Sequence, residues 1–425
     1  MIWIIVGVLI LLAALGAPLF SILGAVALVG FYLSGQDGGS IVASEFNRLS
    51  TLPGLIAIPL FTLAGYILAE SRTPQRLVRL TNALVGWLPG GLAVVAIVAC
   101  TLFTAFTGAT GVTIIALGAV LYPALRQAQY GQQFSLGLLT ASGGLGLLLA
   151  PSMPLILYGV IAQQFTKLDI VALFKAGIIP CLIFIALLSA YSAWHVRGVP
   201  RARRASGAEL WAAVKDMAWE IPLPFVILIG IYSGRLAASE MAAVTALYVL
   251  VVNVLIRREL KLAELPRVTR QAMVLVGGIV MILGFSLAVT NYLIDAEVPG
   301  KLFELLQTYI PKENKWLFLF ALTLFLLVFG MLLEGFPAII LLVPLVLPVA
   351  QSYDIDPVHL GIIFLANLQL GIFLPPLGIN LYIASARFRQ PVLTLVRAAV
   401  PFFLIMLAAT LIITYWPGLS LWLAR

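Results

Sequence analysis

LGLLLAP at residues 145–151 and LGIFLPP at residues 370–376 are two versions of one interrupted hydrophobic segment. Proline removes a backbone donor and clashes with the preceding helical turn, so each version predicts a helix broken inside an apolar stretch. The second version lies 225 residues after the first. The same displacement relates other residues: Pro74 to Pro299, Pro123 to Pro348, Gly146 to Gly371 and Pro151 to Pro376. The sequence therefore predicts an internal duplication.

The composition places this duplication in a membrane. The chain is 62% hydrophobic and only 10% charged, and many apolar runs approach or exceed the roughly 20 residues that span a bilayer. The N-terminus starts apolar without a charged region, so we expect a retained helix there and no signal peptide. The cysteines (Cys100, Cys181) and histidines (His195, His359) are too few for a disulfide framework, a zinc site or a haem site. The charges lie in loops, so the net charge of +8 does not indicate nucleic-acid binding.

The basic residues predict the orientation of the chain. Placing their loops in the cytoplasm satisfies the positive-inside rule and leaves both termini outside, with two passes in residues 1–33. Residues 90–125 then begin and end inside, whereas residues 316–352 begin and end outside. Each segment predicts a re-entrant helical hairpin, one from each face, as an inverted repeat requires. The basic residues are Arg72, Arg76, Arg79, Arg126, Arg197, Arg201, Arg203, Arg204, Arg257, Arg258, Lys261, Arg267, Arg270, Arg387 and Arg389.

These expectations divide the chain into two repeats joined by a basic cytoplasmic linker, at residues 1–196, 218–425 and 197–217. Each repeat is predicted to hold scaffold helices, an amphipathic arm helix at the membrane surface, a hairpin and a broken helix. In the first repeat, the arm helix lies at 74–86, the hairpin at 90–125 and the broken helix at 134–164. In the second repeat, the same elements lie at 299–311, 316–352 and 359–386. The predicted fold class is an all-α integral membrane protein with two re-entrant helical hairpins and two broken helices.

The predicted site lies at the interruptions. Non-helical backbone at membrane depth needs protein or a water-filled cavity to satisfy it, and this applies to the hairpin tips (107–111, 333–337) and the breaks (142–154, 367–380). Freed carbonyl groups suit a small cation, and half-helix N-termini suit an anion such as a carboxylate. Polar side chains concentrate here: Thr104, Thr107, Thr110, Thr113, Ser142, Ser152, Asn367, Gln369 and Asn380. We predict substrate contacts for Ser142, Ser152, Asn367 and Asn380.

Glu334, at the second tip, is the one acidic residue within 316–352. A carboxylate inside a membrane is a candidate functional group. Two other interpretations are a position near the lipid interface and a cap on the following half-helix. For the threonines of the first tip, the corresponding alternative is hydrogen bonding of the hydroxyl back to helix carbonyls.

The chain closely resembles, over essentially its whole length, the large membrane subunit of tripartite ATP-independent periplasmic (TRAP) transporters, a DctM-like protein. The matching stretches are LIAIPLFTLAGYIL (55–68), GWLPGGLAV (86–94), ASGGLGLLLAPSMPLILYG (141–159), ASEMAAVTALY (238–248), GMLLEGFPAIILLVPLVLP (330–348) and LGIIFLANLQLGIFLPPLGINLY (360–382). Their order and spacing together are highly specific.

The resemblance implies an elevator-type transporter, in which a mobile domain of two hairpins and two broken helices slides against a scaffold braced by the arm helices. It implies import of a small organic acid coupled to Na⁺ across a bacterial or archaeal cytoplasmic membrane, with the termini periplasmic. The implied partners are a small four-helix membrane subunit, a periplasmic substrate-binding protein and membrane lipid. No enzymatic activity is implied, and no cofactor beyond Na⁺ as the coupling ion.

The resemblance also implies two sodium sites between tips and breaks. The first would use Thr107, Gly108, Ala109, Thr110, Gly144, Gly146 and Pro151. The second would use Glu334, Gly335, Gly371, Pro375 and Gly378. The chain departs from the family where TGATG (107–111) replaces a serine-rich tip, where Leu374 replaces a threonine and where Ala150 replaces a proline. Hydroxyl ligands are thus fewer than in the family.

Other functions stay open at this point. Glu334 could carry a proton in place of sodium coupling. A stand-alone carboxylate carrier of the same superfamily would need no binding protein, and a channel is possible in principle. An intramembrane enzyme is disfavoured, because histidine and cysteine are sparse and a duplicated architecture has no single catalytic centre.

Overall fold

The computed structural model describes residues 7, 11–12, 17–51, 55–197, 203–232, 236–333, 335–375 and 378–424. Within these ranges every regular element is a helix, and six helices are long and apolar enough to cross a membrane, with a bent pair as a potential seventh. The all-helical, multi-pass fold predicted from the sequence is therefore confirmed. Insertion of the hairpins from opposite faces stays a prediction, and Glu334, Pro376 and most of residues 1–16 lie outside the described residues.

Ten of the described helices precede residue 197. In chain order they are α1 Leu19–Leu33, α2 Gly38–Ser50, α3 Ala57–Glu70, α4 Thr73–Val85, α5 Gly91–Thr107, α6 Thr110–Gln127, α7 Gln132–Ser142, α8 Met153–Ala162, α9 Ile170–Ala176 and α10 Ile178–His195. A 3₁₀ turn, Leu145–Leu148, lies between α7 and α8, and the helical axis bends by 42° there. The helices thus end close to where the sequence predicts the first tip and the first break.

The described helices after residue 203 follow a similar order. They are α11 Gly207–Asp216, α12 Pro222–Tyr232, α13 Ala238–Leu250, α14 Leu265–Asp295, α15 Val298–Tyr309, α16 Lys315–Leu332, α17 Gly335–Ser352, α18 Pro357–Gly371, α19 Ile379–Phe388, α20 Val392–Tyr415 and α21 Gly418–Leu421. A π-helical turn, Val251–Ile256, continues α13. The chain is again interrupted at the second tip and the second break.

Two helices carry charged residues, although the sequence was expected to hold its charges in loops. In the linker, Ser206 and Glu209 form a reciprocal N-terminal cap on α11, because serine followed three residues later by glutamate satisfies two exposed helix donors. Glu45 lies on α2, where its carboxylate accepts a hydrogen bond from Asn291 Nδ2 at 2.7 Å. Glu45 is buried, so it does not belong to an exposed external loop.

The two broken helices form the centre of the molecule. Every residue of α8 is buried, and so is every residue of α18 from His359 to Gly371. A helix that is apolar and buried on all sides must be surrounded by other helices. Helices α3, α9, α16, α17 and α20 supply much of this surrounding layer. The interruptions are thus held inside packed protein.

The same backbone contact recurs in both halves. An ideal Cβ on Gly146 would lie 2.5 Å from Ala105 N on α5, and one on Gly371 would lie 2.5 Å from Gly330 Cα on α16. Real Cβ atoms do not approach other atoms so closely, so only glycine fits at either crossing. Ala105 and Gly330 are related by the same displacement of 225 residues as the two glycines. Each broken helix therefore packs directly against the hairpin of its own half.

The halves differ at another matching pair. Ser286 Oγ donates a hydrogen bond to Ile340 O at 3.1 Å, which joins α14 to α17, and Ile340 is buried. Ile115 of α6 occupies the corresponding position in the first half and is 51% exposed. It lines a cavity. At this position α17 therefore packs against α14, whereas α6 borders open space.

The arm helix α4 is tied to the second half by buried charges. Arg76 forms ion pairs with Glu220 and with Glu259, and its Nη2 also donates to Glu259 Oε2 at 3.2 Å. Arg257 lies 3.5 Å from Glu220 Oε2. These side chains are at most 16% exposed. We call Arg76, Glu220, Arg257 and Glu259 the arm cluster; its two positive and two negative charges balance.

The arm cluster shifts the pKa of its members. Burial opposes the charge of Glu259, but hydrogen bonds from the Arg76 side chain and the Arg72 backbone N–H, with the charges of Arg76 and Arg257, hold its pKa below the ordinary value. Burial likewise opposes the charge of Arg76, and the two carboxylates more than offset this and raise its pKa. A carboxyl group whose pKa is lowered by folding stabilises the folded state at pH values above its ordinary pKa. This stabilisation is lost as the pH falls through the lowered pKa.

Acidification is therefore expected to destabilise the chain in a manner that depends on Glu259. The contribution of Glu259 to the stability of the fold is fully present at pH 7. It begins to fall as the pH approaches the ordinary glutamate pKa of about 4.3. Thermal unfolding of Glu259→Gln should show a weaker loss of stability between pH 6 and pH 3 than the unmodified chain. Glu304→Gln, at an exposed position on α15, is the control and should follow the unmodified profile. Identical profiles for Glu259→Gln and the unmodified chain would contradict this assignment.

Candidate functional site

The first turns of four helices meet around one central cavity of about 250 Å³. Two of these helices, α6 and α17, begin at the hairpin tips, and the other two, α8 and α19, begin after the breaks. From these turns the lining residues are Ala109, Thr110, Gly111, Val112, Pro154, Gly335, Phe336, Ile379 and Asn380. Both tips and both breaks therefore contribute to one cavity.

The electrostatics of the central cavity come from the backbone. The N-terminus of a helix carries unpaired N–H groups and about half a positive charge. Among the described lining residues there is no charged side chain. Four helix N-termini around a mostly apolar cavity favour the binding of an anionic group. They can do so without a cationic side chain in the cavity lining.

Asn380 is the polar side chain that joins the two halves at the cavity. Its Oδ1 accepts a hydrogen bond from Thr110 Oγ1 at 2.7 Å. Its Nδ2 is buried and has no hydrogen-bond partner in the part of the chain that the structure describes. A buried donor without a partner is costly and rare. Asn380 lines the cavity, so its amide group is the candidate donor to an acceptor such as a carboxylate oxygen.

The first tip is built for close packing. Gly108 ends α5 with φ +64°, a conformation that glycine adopts without strain. An ideal Cβ there would lie 2.8 Å from Met153 Cβ at the start of α8. An ideal Cβ on Gly65 of α3 would lie 2.7 Å from Thr107 Cα. The tip is therefore wedged between α3 and the helix that follows the first break.

The threonines of the first hairpin divide into two groups. Thr104 Oγ1 donates to Gly143 O at 2.9 Å and lies 2.7 Å from Thr113 Oγ1, so this pair ties both limbs of the hairpin to the end of α7. Thr107 Oγ1 has only a long contact of 3.5 Å to Ala109 O. Thr107 thus has a weakly satisfied hydroxyl group, and Thr110 lines the central cavity, so these two are the candidates for contact with a ligand.

The first break is partly closed by its own hydrogen bonds. Ser152 Oγ donates to Leu147 O at 2.6 Å, so this serine satisfies the interrupted backbone and lies away from the cavity lining. Ser142 Oγ is buried and has no partner among the described residues. An ideal Cβ on Gly144 would make ordinary contact with Gln369 Cβ at 3.6 Å, which places the first break against α18. Pro151 is buried and follows a cis peptide bond.

The second tip is more open than the first. Gly335 borders the cavity, and an added Cβ would meet nothing within 4 Å. Gly378 N donates to Leu374 O at 2.9 Å, while Pro375 is exposed and does not line the cavity. Asn367 Nδ2 donates back to Ile363 O at 2.8 Å, and its Oδ1 has no partner among the described residues.

The structure thus places the predicted site residues in two layers. Those that line the central cavity are Gly108, Ala109, Thr110, Gly335 and Asn380. Those that pack behind it, or to one side, are Thr107, Gly144, Gly146, Pro151, Gly371, Pro375, Gly378, Ser142, Ser152 and Asn367. Glu334 lies outside the described residues. The role of each residue in binding stays a prediction.

Some lining residues escaped the sequence analysis. Tyr66 of α3 and Leu275 of α14 line the central cavity, but an aromatic and an aliphatic residue in apolar helices give no functional signal. Arg267 and Arg270 line a second cavity beside it. In the sequence these two arginines indicate the orientation of the chain only, although their spacing on α14 was a signal that they share a helix face.

Comparisons with known proteins agree with this architecture. The family described as tripartite ATP-independent periplasmic transporter, DctM component, matches residues 6–419. The chain is 31% identical to the C4-dicarboxylate TRAP transporter large permease protein DctM of Rhodobacter capsulatus, over 98% of this chain and 97% of that protein. It is also 31% identical to the ectoine/5-hydroxyectoine TRAP transporter large permease protein UehC of Ruegeria pomeroyi, over 97% of this chain and 96% of that protein.

A solved structure shares the fold. The YdaH transporter of Alcanivorax borkumensis matches with a TM-score of 0.60 at 14% identity, over 90% of this chain and 88% of that protein. The family match covers nearly the whole chain, and the order of tips and breaks is the one that the resemblance implies. The chain belongs to the DctM family, the large permease subunits of tripartite ATP-independent periplasmic transporters.

Proposed function

We propose that this subunit carries a small organic anion with a carboxylate group across the bacterial or archaeal cytoplasmic membrane, coupled to Na⁺. The convergence of four helix N-termini and one unpartnered amide donor, Asn380 Nδ2, on a cavity without described charged side chains carries the proposal. Such a site stabilises one negative group through backbone dipoles and a directed hydrogen bond. C4-dicarboxylates and ectoine, in the names of the two relatives, both contain carboxylate groups.

Sodium sites would lie behind this cavity. Na⁺ is a small, hard cation, and carbonyl, hydroxyl and amide oxygen atoms suit it, as they suit other hard cations. Thr107, Ser142 and Asn367 place oxygen atoms with weak or no partners among the described residues near the tips and breaks. The substituted first tip and Leu374 leave fewer hydroxyl groups than in the family, so backbone carbonyl groups would supply most ligands.

The proposed mechanism is of the elevator type and involves two partners. The hairpins and broken helices pack as one buried centre, while the arm cluster fixes α4 to the helices outside it. This division fits a mobile unit that moves against a braced scaffold. The small four-helix membrane subunit would extend the scaffold, and the periplasmic binding protein would deliver the substrate at the face that holds both termini.

Sodium is expected to raise the melting temperature of the purified complex with its small subunit. We would replace K⁺ or choline by Na⁺ at constant ionic strength and pH. A ligand that binds only the folded state stabilises it by about 2.7 kcal/mol at a hundred times its dissociation constant. The expected result is a saturable, Na⁺-specific rise, with a further rise from a carboxylate such as succinate or ectoine only when Na⁺ is present.

A different outcome would favour proton coupling. If Na⁺ has no effect and the melting temperature varies with pH, the titrating group should be Glu334, and Glu334→Gln should abolish that variation. Under sodium coupling, Glu334→Gln should impair uptake in proteoliposomes and leave the protein folded. Normal uptake by Glu334→Gln would remove this residue from the mechanism.

A further inference from the structure

A second cavity, which we call the vestibule, adjoins the central one. It encloses about 790 Å³ between α6, the end of α3, the start of α4 and the first part of α14. Tyr66, Val112 and Ile115 line both cavities. The vestibule lies beside the arm cluster, on the side of the basic loops, which the positive-inside rule assigns to the cytoplasm. A ligand that left the central cavity toward this side would pass through the vestibule.

Cationic side chains line the vestibule on one face of α14. Arg267, Arg270 and Gln271 follow one another at helical spacing, and all three border this space. Arg267 is paired with Glu70 across the vestibule at 2.8 Å. Within the described residues, Arg270 forms no ion pair. One guanidinium group is thus available to a ligand.

The two adjoining cavities differ in charge. The described lining of the central cavity has no charged side chain, whereas Arg270 projects a full positive charge into the vestibule. A cation in a concave wall concentrates anions from solution, and guanidinium and carboxylate groups match through two parallel hydrogen bonds. We propose that Arg270, with Gln271 beside it, forms a carboxylate-binding site that receives the substrate on its way out of the central cavity.

Glu70 limits the strength of this site. Because its carboxylate holds Arg267, an arriving anion meets one free guanidinium and not two. A site passed during release must bind well enough to draw the ligand from the centre and weakly enough to let it go. Glu70→Gln should therefore strengthen anion binding in the vestibule, and Arg270→Gln should weaken it. The proposal rests on the proposed function and adds the residue, Arg270, that would bind the substrate carboxylate after it leaves the central cavity.

The test uses a reporter cysteine and needs no knowledge of the natural substrate. Val274 lines the vestibule, and both native cysteines are buried, so Val274→Cys supplies one accessible thiol. In nanodiscs of zwitterionic lipid, we would measure its modification by anionic and cationic methanethiosulfonate reagents, with and without succinate as the carboxylate probe. The anionic reagent should react faster, and succinate should slow it.

Arg270→Gln should lower the ratio of the anionic to the cationic modification rate about tenfold, and it should abolish protection by succinate. Glu70→Gln should raise this ratio and strengthen the protection. Lys261→Gln removes the same charge from an exposed position outside the vestibule and should change neither. Equal ratios and equal protection in Arg270→Gln and the parent would overturn the proposal. Stronger protection by anionic lipid than by succinate would also overturn it, because the site would then hold a headgroup. These rates do not require sodium binding, so they separate this proposal from the proposed function.

Discussion

Replacing Gly371 by alanine is expected to abolish the Na⁺-dependent rise in melting temperature. The added Cβ would lie 2.5 Å from Gly330 Cα and closer still to the Gly330 carbonyl carbon, so α18 and α16 would have to separate. Overpacking of this kind costs typically 1–3 kcal/mol. The separation would displace the second tip relative to the second break, where one sodium site is proposed. Gly146→Ala should act in the same way on the first site.

The matched control is alanine at a helical glycine that has room. An added Cβ on Gly278 of α14 would meet nothing within 4 Å, so Gly278→Ala should keep the full response to Na⁺ and gain up to about 1 kcal/mol of stability from backbone entropy. Isothermal titration of Na⁺ into each purified variant would give the affinities directly. Unchanged sodium affinity in a folded Gly371→Ala protein would show that the contact with Gly330 does not shape the site.

The second large effect is expected at Glu220. Glu220→Gln would leave Arg76 and Arg257 with one carboxylate between them in a buried setting, and breaking a buried pair in this way costs about 3–5 kcal/mol. The unfolding midpoint in heat or in SDS should fall clearly. The position of the arm helix should loosen, because Glu220 is a residue through which α4 contacts the segment before α12.

An exposed ion pair on the same helix provides the comparison. Arg79 and Asp216 lie 3.2 Å apart, with side chains 61% and 38% exposed. Exposed pairs contribute at most about 1 kcal/mol, so Asp216→Asn should leave the midpoint almost unchanged. If Glu220→Gln were as mild as Asp216→Asn, the arm cluster would not be the anchor of α4.

The interruptions are the part of the fold that the sequence predicted best. Proline and glycine act locally, and the start of α8 at Met153 and the end of α18 at Gly371 both fall inside the breaks predicted at 142–154 and 367–380. The family was predicted from the sequence and is confirmed, and members of this family are transporter permease subunits and not enzymes. The helix α11 was missed, although its cap also acts locally through Ser206 and Glu209.

The sequence could not separate the lining of the site from its support. Ser152 and Asn380 are both polar residues at a break, yet Ser152 satisfies the carbonyl of Leu147 and Asn380 borders the cavity. The difference depends on packing between distant segments, as in the contact of Thr110 with Asn380. Arg270 was hidden for another reason. Its charge served equally well to set the orientation of the chain, and only the position of α14 beside α6 gives it a cavity.

The unequal packing of the two hairpins has a consequence for energetics. Ser286 and Ile340 form a closed contact, whereas at the equivalent positions Phe61 is buried and Ile115 borders the open central cavity. If the halves exchange these roles, the Ser286 hydrogen bond is lost and an apolar contact between α3 and α6 is gained, so the two arrangements would differ by the net worth of one hydrogen bond, ~0.5–1.5 kcal/mol. An equilibrium so close to balance can be reversed by the differential affinity of a single small ligand. The duplication would then supply a transporter with two states that need no large energy source to interconvert.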